Sequence, residues 1–407
     1  MPRTIPISPP ELKTPTLETW TLKLKTITPM FGGSATPREV DPENPVRAAS
    51  VRGHLRFWWR ATAGGQYTSA EKLFEAEEQI WGSAERYGKV ALRVLEQAAG
   101  QLVKPSELVP DKGTAKTGPL EKFFLHPFNE NKTERIPEAS GLQWVEFSLE
   151  LTLNLSDAER EHLRRALRAW IAFGGVGART RRGVGALEVT ADLPMWLPNK
   201  PEQLKDWFSQ KPVENPAHTL LAGAVVCLGQ PRKPGPSDPY KGHKAWRELG
   251  SFWARFRKGH FVEDPQTGET MPYTPMAGGK WRDHKTLLAL SKDQEQVALA
   301  KPYLGLPIVY QRLGNSFSGT LEAVHKQGKR MASPVILKPI AFADGNVRPA
   351  MVILKAPAPE DIKIGDQKLA LQLPDFDPVL DSLGADDPLE AARIAAQIQG
   401  FAVEVRL

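Results

Sequence analysis

Apolar and polar positions alternate most clearly at Trp144–Leu155, where Val145, Phe147, Leu149, Leu151, Leu153 and Leu155 fall on one face. A period of two over that length predicts a β-strand with one side in a core. Leu17–Thr28 alternates in the same way, with Trp20, Leu22 and Leu24 opposite Thr19, Thr21 and Lys23. Between these strands the period changes. Val51, Leu55, Trp58, Trp59 and Thr62 recur at helical spacing behind Ser50, which predicts a helix to about Ala63. A second helix is expected from about Ser69 to Trp81, closed by Gly82, and Gly88–Leu95 reads as a strand. After the long strand, Ser156-Asp-Ala-Glu159 forms a capping box, and Leu163, Leu167, Trp170 and Ile171 mark the buried face of a helix to Phe173. Ala186–Thr190 closes the unit as a short strand.

The order strand–helix–(helix)–strand–strand–helix–strand matches a ferredoxin-like split βαβ unit, an α+β fold, over 17–191. Residues 1–16 read as a flexible Pro-rich tail. Residues 99–140, polar and rich in Pro and Gly, read as an inserted loop, partly disordered. Residues 192–216 form a connector. A second α+β domain is expected over 217–407. Its strands are placed at Thr219–Leu228, Pro307–Tyr310, Thr320–Val324, Ser333–Ile340, Arg348–Lys355 and Phe401–Leu407. Its helices are placed at about His243–Arg257, Thr286–Ala298 and Leu389–Gln399.

The chain has 407 residues, 41% of them hydrophobic and 25% charged, which suffices for packed cores and excludes wholesale disorder. No apolar run approaches the ~18 residues of a membrane span, and the start is no signal peptide. Cys227 is alone, so no intrachain disulfide framework exists; it reads as buried filler. The expectation is a soluble cytoplasmic protein.

The net charge of +6 matters less than its placement. No acid lies between Glu43 and Glu71, a window holding Arg47, Arg52, Arg56 and Arg60. None lies between Glu161 and Glu188, with Arg164, Arg165, Arg168, Arg179, Arg181 and Arg182. None lies between Glu322 and Asp344, with Lys326, Lys329, Arg330 and Lys338. Three such windows point to a polyanion partner.

The sharpest local feature is Gly174-Gly-Val-Gly-Ala-Arg-Thr-Arg-Arg-Gly-Val-Gly185, between a helix and a strand. Glycine admits positive φ and close backbone approach, and successive exposed N–H groups in such a turn can hold phosphate oxygens. A P-loop is excluded because no Lys-Ser/Thr follows, and a dinucleotide loop because Thr180 stands where the third glycine belongs. In Ser50-Val-Arg-Gly-His-Leu-Arg-Phe-Trp-Trp-Arg60, the three arginines share one helix face and can line a phosphate track. Trp58 and Trp59 read as core. Metal chemistry is poorly supported: the eight histidines are scattered and no ligand-spaced pair occurs. His54 is the one candidate general base, and Asp41 a lone loop carboxylate.

The spacing Gly175-x-Gly177-x4-Arg182-Gly183-x-Gly185 resembles the glycine-rich loop of the RAMP superfamily of CRISPR-associated proteins. The string Leu55-Arg-Phe-Trp-Trp-Arg60, with Pro29-Met-Phe-Gly-Gly33 before it, is similar to the first-subunit family of the type III-B Cmr complex. Leu304-Gly-Leu-Pro-Ile308 and Met331-Ala-Ser-Pro-Val-Ile-Leu337 extend the likeness into the second half. The resemblance implies two tandem ferredoxin-like, RRM-related domains and membership of an antiviral ribonucleoprotein. It implies a subunit near the 3′ part of the guide RNA that helps capture target RNA without cutting it. Its partners would be guide RNA, target RNA and the other Cmr subunits, with no membrane, metal or cofactor. RNA contact would fall on Arg52, Arg56, Arg60, Gly175, Gly177, Arg179, Arg181, Arg182, Gly183 and Gly185. Two alternatives stay open: a metal-independent endoribonuclease processing guide RNA through His54, and a structural bridge between protein subunits.

Overall fold

The computed structural model describes residues 17–67, 69–108, 124–211, 213, 216–258, 281–310, 318–324 and 328–407. The expected tail at 1–16 and residues 109–123 of the expected insertion lie outside them.

The first half runs β1 (Glu18–Thr26), β2 (Met30–Phe31), α1 (Ala48–Ala61), α2 (Ala70–Trp81), β3 (Val90–Ala98), β4 (Gln101–Val103), β5 (Gly141–Gln143), β6 (Glu146–Leu153), α3 (Asp157–Phe173) and β7 (Leu187–Val189). β1, β3, β6 and β7 form an antiparallel sheet in the order β3-β6-β1-β7. β2, β5 and β4 make a small side sheet. Ser156 and Glu159 close the capping box of α3, and Ser69 caps α2. The N-cap of α1 is Arg47 instead of the expected Ser50. The expected core face of α1 is buried: Val51, Leu55, Trp58, Trp59 and Thr62.

The connector is packed. α4 (Glu202–Phe208) buries Leu204 and Phe208. The second half runs β8 (Leu220–Leu228), α5 (His243–Lys258), α6 (Asp283–Leu288), β9 (Gln296–Ala298), β10 (Ile308–Tyr310), β11 (Gly319–Ala323), β12 (Val335–Ala341), β13 (Val347–Lys355), β14 (Asp361–Ile364), β15 (Gln367–Gln372), α7 (Pro378–Leu383), α8 (Pro388–Ile398) and β16 (Val403–Arg406). Its main sheet is antiparallel in the order β12-β13-β8-β16. A five-stranded satellite sheet, β10-β11-β14-β15-β9, carries its own small core. The helix expected over Thr286–Ala298 stops at Leu288, and Gln296–Ala298 is a strand, because it pairs parallel with Ala370–Gln372. That long-range ladder overrides the local helical spacing.

The two main sheets have one topology: each sets its four strands in the spatial order second, third, first, fourth. Their layers stack. Val226, Ile336, Ile340 and Val352, on one face of the second sheet, share a core with Leu163, Leu167 and Trp170 of α3. Cys227, Val335, Leu337 and Met351, on the other face, pack with Trp246, Phe252 and Trp253 of α5 and Ala391 and Ala395 of α8. Cys227 is buried as expected, and burial raises its thiol pKa to about 12. Lys338, counted above among cations facing a polyanion, is fully buried between the halves and donates to Ile171 O in the last turn of α3. It has no access to a ligand. Burial pushes its ammonium pKa well down.

Candidate nucleic-acid interface

The glycine loop leaves α3 at Gly174 and returns to β7. Its conformation needs glycine at Gly177, Gly183 and Gly185, which hold φ of +78°, +72° and +62°. What approaches these glycines is the protein itself. A Cβ on Gly177 would stand 2.5 Å from Phe31 O, and one on Gly183 would stand 2.8 Å from Trp246 Cδ1. Several backbone donors of the loop are engaged as well. Val176 N–H donates to Gly185 O, Ala178 to Phe31 O, Arg182 to Arg179 O, Gly183 to Thr180 O, and Gly185 to Pro29 O. The loop is therefore clipped onto the β1–β2 turn, and the N–H groups of Val176, Ala178, Arg182, Gly183 and Gly185 are not available to an anion.

Its arginines are partly buried, and each donates to a backbone carbonyl. Arg179 Nε donates to Phe124 O at 2.7 Å, Arg181 Nη1 to Ser333 O, and Arg182 Nη1 to Val335 O at 2.7 Å. Arg181 lies over Phe57 of α1 and Arg182 over Trp253 of α5. Burial lowers all three guanidinium pKa values, that of Arg181 to about 10; Arg182 is pushed down further by Arg179, Arg257 and Arg181. Arg181 and Arg182 tie the first half to the start of β12.

Arg52, Arg56 and Arg60 share a face of α1, as their spacing predicts, and that face meets α2. Arg56 Nε and Arg60 Nη1 both reach Glu77 Oε1, at 2.6 and 2.5 Å. Glu77 is buried, while the two arginine side chains stay about a third exposed, at 31% and 34%. Arg52 donates to Trp81 O and Gly82 O at the end of α2. The three arginines have the single carboxylate of Glu77 among them and so keep two uncompensated positive charges. Glu77 escapes a reading of charge windows because it lies on another helix. Its signal is position: it occupies the apolar stripe Leu73, Glu77, Ile80, Trp81, where a carboxylate demands a partner.

The two arginine sets thus lie on different sides of α1. What the loop does face is the stripe Arg47, Ser50, His54, Phe57. Between them lies a cavity of about 220 Å³, lined by Gly33, Arg47, Ser50, His54, Gly177 and Ala178 among others. The first turn of α1 opens here with no side-chain cap and no acid. Such an end carries unsatisfied N–H groups and about half a positive charge. Arg47 and Ser50 are exposed beside it. His54 is half-buried, and burial lowers its pKa, which keeps the imidazole neutral near pH 7. Asp41 Oδ1 accepts the N–H groups of Glu43 and Asn44 and so builds its own turn. Among the described residues no group of three or more His, Cys, Asp or Glu is placed to hold a metal ion.

Comparison with known proteins decides the family. The RAMP superfamily model matches residues 23–188, a span holding α1, α2, α3 and the glycine loop. The CRISPR system Cmr subunit Cmr1-2 of Pyrococcus furiosus is 31% identical over 176 residues, which are 41% of this chain and 92% of that protein. The chain belongs to the Cmr1 family of the RAMP superfamily. Cmr1-1 of the same organism is 30% identical over 149 residues, 35% of this chain and 40% of that one. Apo Cmr1 from Pyrococcus furiosus overlays 84% of this chain and 89% of its own at 17% identity, with a TM-score of 0.46. The α1 string and the glycine loop that carry the family resemblance both border the cavity or pack directly behind it.

Proposed function

We propose that this Cmr1-family chain is a non-catalytic, RNA-binding subunit of a type III-B CRISPR effector complex. In this reading it contacts guide RNA near its 3′ part and helps capture target RNA, beside the other Cmr subunits. The two main sheets are read as tandem ferredoxin-like domains over 17–191 and 217–407, supported by their shared strand order and βαββαβ sequence. The observation that carries the RNA reading is the uncapped, acid-free first turn of α1. It opens on a cavity walled by the glycine loop, with Arg47 and Ser50 at the rim. A helix N-terminus beside an arginine suits a phosphate of the RNA backbone. The exposed face of the first sheet suits bases poorly: the outward positions of β1, β3 and β6 hold no aromatic residue, and Lys25–Glu146 and Arg93–Glu150 pair across it. Binding is therefore expected to be blind to sequence.

The test is a titration of the full chain with labelled single-stranded RNA at several salt concentrations. Affinity should fall by ~0.7 log units per neutralised phosphate per decade of salt. Arg47→Glu and Ser50→Asp should each weaken binding about tenfold, whereas Thr21→Asp on the sheet face should not. A constant flat in salt, or equal loss from Thr21→Asp, sinks the reading. RNA cleaved by wild type and spared by His54→Ala would replace it with the endoribonuclease alternative.

One specific observation favours a second reading for part of the predicted site. Arg181 and Arg182 bond backbone carbonyls of the second half, so they act as a joint within the chain. Their loss is expected to act on folding before it acts on RNA.

A further inference from the structure

The arginines of α3 have so far no role in binding. Arg164 stacks on Trp20 and pairs with Glu161, and Arg168 stacks on Trp207 while Nε donates to Met195 O at 2.9 Å. Arg165 differs. It faces a cleft of about 500 Å³ between α3 and the segment after α4, lined by Gly65, Gln66, His162, Arg165, Gln210 and Lys211 among others. The cleft sits at the C-terminal end of α1, some 20 Å along the helix from the first cavity, since 14 residues rise about 1.5 Å each.

Three features make it a built site for an anion. First, Arg165 is held in place. With the Gln210 amide oriented to satisfy both its ends, its oxygen accepts from Arg165 Nη1 at 2.5 Å and its nitrogen donates to Thr62 O at 3.0 Å. Second, the held arginine is not neutralised: among the described residues its buried Nε has no hydrogen-bond partner, and no carboxylate lines the cleft beside the guanidinium. Third, the carbonyls at the end of α1, which would repel an anion, are occupied. Trp58 O and Trp59 O accept from Thr62, and Arg60 O faces His218 Nε2 at 3.2 Å. No described lining residue is a carboxylate. Glu161, beside His162 in sequence, is neutralised by Arg164.

We infer that this cleft binds a phosphate group carried on a nucleotide. Arg165, Lys211, His162 and Gln66 line the cleft from three segments, which suits the three or more oxygens of a phosphate better than the two of a carboxylate. The volume exceeds what inorganic phosphate fills and falls in the range of small-ligand sites. The nucleotide can be free or part of an RNA strand; the chemistry at Arg165 is the same. The inference does not depend on the first cavity being an RNA site.

The experiment measures affinity of the full chain for uridine 5′-monophosphate, inorganic phosphate, single-stranded RNA and an acidic peptide. The variants are Arg165→Met, Lys211→Glu, Arg47→Glu and the sheet-face control Thr21→Asp. Arg165→Met and Lys211→Glu should each lower nucleotide affinity about tenfold or more, and Thr21→Asp should leave it unchanged. RNA affinity falling with the same two variants identifies a strand as the source; RNA affinity unmoved by them identifies a free nucleotide. Lys211 is exposed, so Lys211→Glu decides the matter if Arg165→Met melts early. No measurable nucleotide or RNA binding, affinities indifferent to both cleft variants, or tighter binding of the acidic peptide overturns the inference. Nucleotide and RNA binding both lost only in Arg47→Glu would retain the first cavity and reject the second.

Discussion

The two main sheets share a strand order and differ in what covers them. The first has one face on α1 and α3 and the other in water, where Thr19, Thr21, Lys23 and Lys25 stand in a row. The second has no wet face: α3 packs on one side, and α5 and α8 on the other. One topology thus yields an outer wall and an inner partition. The difference lies in the strands: β6 alternates, whereas all seven residues of β12 are buried, Lys338 included. The helices of the first half therefore serve two sheets, and the second sheet cannot also offer its face to a ligand.

The largest effect is expected from truncating the partition on either face. Ile336→Ala and Leu337→Ala, on opposite sides of β12, should each cost ~2–5 kcal/mol in denaturant unfolding. If one of the two were harmless, the second sheet would have an unburied face after all. Next comes the joint. Arg182→Ala removes the donor to Val335 O and a cation–π contact, and should cost ~1–3 kcal/mol. A variant as stable as wild type but unable to bind RNA would return Arg182 to the ligand surface.

Lys338 supplies a pH signature of the buried face. Its folded pKa lies below the unfolded value near ~10.4, so over that interval the unfolded chain binds more protons than the folded one. Stability from this group should rise with pH, by up to ~1.4 kcal/mol per unit, and decline as pH falls through the interval. The difference between wild-type and Lys338→Met unfolding curves isolates it; parallel curves from pH 7 to 10 would show that the lysine is wet. The smallest effect belongs to the outer wall. Lys23→Ala should change stability by less than ~0.5 kcal/mol, because its side chain stays in water.

Much of this contrast is legible in the residues. The alternation of β6 shows because water lies on one side, and the capping box of α3 and the glycine stops of α2 and α3 are local chemistry. The arginine face of α1 is legible from spacing alone. What that face meets is not, because Glu77 comes from a separate helix. The glycine loop shows the same limit. Its need for close approach is plain from composition, yet the approaching atoms, Phe31 O and Trp246, are distant in sequence. A polyanion and a packed backbone ask for the same residue types there. The first cavity and the α3 cleft are harder still, since each is assembled from segments that only the fold brings together.

The shared use of α3 also sets a timetable. Ile171 O waits for the Nζ donor of Lys338, 167 residues further along the chain. While that stretch is being synthesised, the flank of α3 that faces Ile336, Ile340 and Val352 has no lid. Contacts of such sequence separation form late, since the intervening loop must close first. The first half thus leaves the ribosome with an apolar helix surface open. It becomes a finished body only when β12 and β13 arrive, which makes the interval before residue 355 the moment at which this chain most needs protection from aggregation.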